Sequence, residues 1–174
     1  MNLLIYTVAI GFVISPSGRA QSDVVNRTMP QVIERLPTDY YGDKSQISRF
    51  SSDVRAVTQR ADTIFAESIE SDLRDIDYYA AAVAEHCQAI VPLFDRPNTD
   101  HDAAKRVAAA IVRLLADMHA ADEGCARVVL RLRHYAKPNE NDPLFVRLST
   151  YPHHFRQTTR YLHSKLSEYI LQSL

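Results

Sequence analysis

Apolar positions recur along this chain with helical periods. The series Val107, Ile111, Leu114, Met118, Ala121, Cys125, Val128, Leu132 and Tyr135 advances in alternating steps of four and three. A 3.5-residue repeat of this kind draws one apolar seam down a helix and calls for partner helices to cover it. Asp100 and Asp102 stand at its start, and Arg131, Arg133, His134 and Lys137 at its end, as the helix dipole favours. Gly124 is the weak point, because glycine costs about 1 kcal/mol against alanine in a helix interior.

The preceding stretch is also helical. Val54, Val57, Ala61 and Ile64 keep one register, while Leu73, Ile76, Ala80, Val83, Cys87, Ile90 and Phe94 keep another. The change of phase predicts a kink near 66–72, or a second helix capped by Ser71 and Asp72. Upstream, Thr28-Met29-Pro30-Gln31 has the form of a capping box opening a short helix that stops before Pro37. A turn over 39–43 follows. Three prolines predict a surface loop over 137–152, and the last helix is expected from about His153 to Ser173, with Phe155, Leu162, Leu166 and Tyr169 inward. These elements add up to an all-α antiparallel bundle of about four helices over 46–174, with an N-terminal capping segment over 21–45.

The first residues follow a different pattern. Asn2 to Ile14 is a short apolar run, and Gly18-Arg19-Ala20 places small residues at −3 and −1 before Gln21. That layout predicts a secretory signal over 1–20, cleaved to leave an exported protein, periplasmic or extracellular. The run falls short of the roughly 20 residues of a membrane span, so no stable span is expected after cleavage.

Charge divides the chain. Residues 21–126 carry 11 basic and 18 acidic side chains, whereas 127–174 carry 8 basic and 3 acidic. With the totals nearly balanced, general nucleic-acid binding is not expected. The basic part holds a repeated pattern: Arg127, Arg131 and His134 share their spacing with Arg156, Arg160 and His163. Positions i, i+4 and i+7 lie on one helical face, so each helix presents a cationic stripe. Such stripes suit an acidic partner protein, and the competing expectation is that Glu67, Glu70, Asp72, Asp75 and Asp77 neutralise them inside the fold.

Candidate chemistry is sparse. Cys87 and Cys125 invite a disulfide in an exported protein. In a plain hairpin they lie far apart along the helices, so core thiols and an intermolecular bond stay open as alternatives. His119, Asp122 and Glu123 form the one weak metal-ligand grouping, on a face expected to be solvated. Covalent c-type haem is ruled out by the lack of Cys-x-x-Cys-His. Met29 and His163 are placed broadly as the axial ligands of periplasmic four-helix b-type cytochromes, and that resemblance, limited to two positions, would imply haem b as cofactor. No nucleophile motif, phosphate loop or zinc-protease motif is present, and no catalytic residue is assigned. The expectation is an exported, non-enzymatic bundle without a cofactor that binds another protein through a charged face.

Overall fold

The computed structural model describes residues 28–42, 45–59, 61–94, 101–136 and 142–173. Five α-helices account for nearly all of them: α1 (Met29–Leu36), α2 (Gln46–Thr58), α3 (Thr63–Phe94), α4 (His101–Ala136) and α5 (Pro143–Ser173). A π-helical turn, Pro37–Tyr41, continues from α1. No strand occurs among the described residues. The expected signal segment and its cleavage site lie outside them.

The seam of α4 is buried from Val107 to Leu132, each of its residues at most 2% exposed. Contacts on one flank fix its pairing with α3: Asp117 meets His86, Gly124 meets Ile76 and Arg131 meets Asp72. Numbers rise on one helix as they fall on the other, so the two are antiparallel. On the other flank Asp122 meets Thr159 and Arg133 covers the Phe145 ring, which sets α5 antiparallel to α4. The fourth side of the bundle is built in two pieces. Helix α1 and the π turn pack against the later half of α3, and α2 packs between the early half of α3 and α5. The molecule is therefore an up-down-up-down four-helix bundle whose first helix is broken.

Local chemistry explains where elements begin and end. The capping box at Thr28 forms, with the Thr28 N–H donating to Gln31 Oε1 at 3.0 Å. The α-helix stops at Leu36, before Pro37, as expected, and the chain continues in the π turn, closed by a bond from the Gly42 N–H to the Pro37 carbonyl. A Cβ on Gly42 would stand 2.4 Å from that carbonyl oxygen, so only glycine fits. Tyr40 and Tyr41 point inward from this turn.

Two expectations about helix boundaries are corrected. The change of hydrophobic phase is absorbed near 59–62, ahead of 66–72, and Ser71 and Asp72 lie within continuous helix. Asp62 is the reason: its Oδ1 accepts the Phe65 N–H at 2.9 Å and opens α3. At the end of α2, the Thr58 hydroxyl takes up the Val54 and Arg55 carbonyls, each at 3.2 Å. Ile64, predicted to keep the α2 register, is 81% exposed as a result. The second correction concerns 137–152, most of which is helix. Asp142 accepts the Leu144 N–H at 2.9 Å, and Pro143 occupies the first helical position, where no N–H is needed. Pro152 withholds one backbone bond inside α5, and burial of its neighbours Leu148, Tyr151 and Phe155 offsets the loss.

Tyr135 departs from the seam. Its ring stacks on Phe65 at 3.8 Å and its hydroxyl donates to the Asp62 carboxylate, which clamps the end of α4 over the start of α3. Arg147 grips Asp53 with two bonds of 2.6 and 2.7 Å, and Arg55 grips Glu70 at 2.7 and 3.0 Å, holding α2 to both neighbours.

Gly124 has a reason that the sequence alone did not supply. A Cβ there would lie 2.7 Å from Ile76 Cγ1, so the glycine lets α3 and α4 approach closely. Gly124→Ala should therefore destabilise the fold by about 1–3 kcal/mol despite alanine's better helix propensity. In a denaturant double-mutant cycle, its cost in an Ile76→Ala background should fall well below its cost alone.

Candidate functional site

The structure separates the two cationic stripes. Arg131 is spent inside the fold, forming an ion pair with Asp72 and a 2.6 Å bond to Ser68 Oγ. Arg127 and His134, on the same helix, are exposed. Arg156, Arg160 and His163 are exposed on α5, and among the described residues none of the three is recorded in an ion pair. Expected neutralisation by the acidic face of α3 does not reach them, because α3 and α5 lie across the bundle diagonal, with α4 on one side and α1 and α2 on the other. Of that acidic face, Asp72 goes to Arg131 and Glu70 to Arg55. Sequence reasoning treated the two stripes as equivalent. Only the register of α4 against α3 distinguishes them.

Cys87 and Cys125 are both free thiols in the core. Cys87 follows His86, which pairs with Asp117, and Cys125 follows Gly124, which packs on Ile76. The two are thus about ten residues apart along the hairpin, roughly 15 Å, far beyond disulfide reach. Burial pushes the Cys87 thiol up to about 12, and burial, aided by the charges of Asp122 and Asp77, pushes Cys125 up strongly. Neither is a poised nucleophile. Cys87 helps line a 270 Å³ pocket between α1 and the end of α3, together with Glu34, Pro37, Gln88, Val91 and Pro92.

The weak metal grouping is divided by the structure. His119 pairs with Glu123 at 3.2 Å on the exposed face, while Asp122 turns inward and is 1% exposed. Among the described residues no three His, Cys, Asp or Glu side chains converge on a metal position. Of the axial pair of the haem reading, Met29 is buried in α1 and His163 is exposed on α5.

Asp122 is the residue that sequence reasoning misplaced. A solvated face was expected, whereas it is the one buried charged side chain among the described residues. It points from α4 toward α5 and the π turn. Thr159 donates to Oδ2 at 2.7 Å, and Tyr41 makes a longer contact to Oδ1 at 3.4 Å. Burial raises its pKa to about 6, opposed by the Thr159 and Tyr41 bonds and by the positive charges of His119 and Arg156. Burial, then the Asp122 charge, drives the Tyr41 phenol well above its ordinary range, so it stays neutral. A signal was present in the sequence: Asp122 lies one residue past Ala121 on the seam, on the flank that any third helix would cover. Without the helix order, that flank cannot be told from a solvated one.

No helix of the described residues is long and apolar enough to cross a membrane. Compared with protein-family models, curated proteins and solved structures, the chain matches none of them.

The Asp122 carboxyl titrates near pH 6 in the fold and near 4 when unfolded. Its contribution to stability is therefore full below about pH 4 and is lost as pH rises through 6. Chemical denaturation from pH 4 to 7.5 should show the stability of Asp122→Asn gaining on wild type by about 2–3 kcal/mol as pH rises.

Proposed function

We propose that this chain is an exported, non-enzymatic helical bundle that acts by binding another protein, in the periplasm or outside the cell. Binding is carried by the exposed face of α5, where Arg156, Arg160 and His163 line up without an ion-pair partner among the described residues. That is the observation on which the reading rests. Several other cations of the fold are engaged: Arg131 with Asp72, Arg147 with Asp53, Arg55 with Glu70 and Lys165 with Glu168.

Guanidinium groups one turn apart on a rigid helix suit carboxylates, since each offers a planar pair of donors. An acidic surface or peptide is the complementary partner. Contacts of this sort speed encounter and weaken with salt, because exposed charges are screened within about 10 Å at 0.1 M. The export part of the reading is supported by the apolar run and small-residue site at the N-terminus.

The double variant Arg156→Glu, Arg160→Glu tests the face directly. With tagged protein expressed in its own host and cross-linked in place, the partner captured by wild type should be lost from the variant. Circular dichroism should show the same helicity for both. Capture that is unchanged by the charge reversal would refute the α5 face as the binding surface.

A further inference from the structure

The break in the first helix of the bundle lies against the buried carboxylate, and that coincidence has a consequence independent of the partner-binding reading. We infer that Asp122 is a proton-controlled latch on the N-terminal piece of the bundle: protonated, it holds the Pro37–Tyr41 turn and α1 docked, and ionised, it favours their release.

The geometry supports both states. Thr159 Oγ1 stands 2.7 Å from Asp122 Oδ2 and 3.2 Å from the Phe155 carbonyl. With Asp122 protonated, the acid proton bonds to Thr159 Oγ1 while the Thr159 hydroxyl turns to Phe155, and every donor is satisfied. With Asp122 ionised, the carboxylate keeps two neutral donors, of which the Tyr41 contact is long at 3.4 Å. A buried carboxylate so poorly compensated is costly, and water is the remedy. The groups around it are Tyr41 from the π turn, Thr159 and Arg156 from α5, and His119 and Cys125 from its own helix. His119 is engaged with Glu123, and Arg156 is exposed, so neither buries a charge against the carboxylate.

The piece that gives way is the one covering the site from the fourth side. Tyr41 lies over Phe155 at 6.1 Å and is 4% exposed. It belongs to a five-residue π turn attached to an eight-residue helix, next to the break before α2. By contrast α4 and α5, the other two elements at Asp122, are 36 and 31 residues long and packed along their length. Opening this short piece exposes fewer buried side chains in all than opening α4 or α5, so it opens first.

Hydrogen exchange of the full chain, corrected for the intrinsic pH dependence of the amides, reads the latch directly. Between pH 4 and pH 7.5 protection of residues 29–42 should fall by about tenfold or more, while protection over 107–132 holds. In Asp122→Asn the pH dependence of 29–42 should vanish. Protection that falls equally across the chain, that is independent of pH in wild type, or that falls as steeply in Asp122→Asn would overturn the latch.

Discussion

Covering the seam of α4 is the constraint from which the rest of the structure follows. From Val107 to Leu132 the helix presents an unbroken apolar stripe about 39 Å long, and each turn of it must be kept from water. Helices α3 and α5 are long enough to flank it along its length. The fourth side is not a single helix of that length. It is α1, a π turn and α2, laid end to end and held by Arg147–Asp53, Arg55–Glu70 and the inward rings of Tyr40 and Tyr41. Close approach on the α3 flank requires Gly124, where a side chain would collide with Ile76. The helix-breaking cost of that glycine is outweighed by the packing it permits.

The polar interior and the broken side belong together. A continuous fourth helix would offer apolar side chains at every level of the core. Here the chain turns at Pro37–Gly42 and delivers a tyrosine hydroxyl to the level of Asp122, where Thr159 arrives from the neighbouring α5. Three elements thus meet at one carboxylate, and the hydroxyls supply donors that backbone and aliphatic groups cannot. The carboxylate is held without a cation in contact, which is why burial dominates its titration.

Helix order also sorts the charges. Adjacent helices exchange ion pairs: α3 with α4 through Arg131 and His86, α2 with α3 through Arg55, and α2 with α5 through Arg147. Among the described residues no ion pair joins α3 to α5, although the Phe94 and Tyr169 rings meet at 5.9 Å. The acidic face of α3 and the basic face of α5 are diagonal, so Arg131–Asp72 and Arg147–Asp53 cancel the segregation visible along the chain only in part. The remainder stays at the surface, with Arg156 and Arg160 exposed on α5.

Much of the architecture was legible in the residues themselves. The seam from Val107 to Leu132, the capping box at Thr28, the inward positions of α5 and the all-α class follow from period, caps and composition, which are local properties of a chain that must form helices and hide one stripe of each. The position of a helix break was not legible, since the phase change between Ile64 and Leu73 fits several boundaries and the Asp62 cap chose one. Nor was the helical character of 143–152, where Pro143 and Pro152 read as a loop until the Asp142 cap and the burial of Leu148 and Tyr151 decided otherwise. The fates of Arg131, Arg156 and Asp122 depended entirely on tertiary structure. Each lies on a helix flank, and a flank becomes interface or surface only when neighbours are assigned to it. Periodicity determines which stripe of a helix is apolar, whereas the order and register of the helices around the core determine what stands beside that stripe.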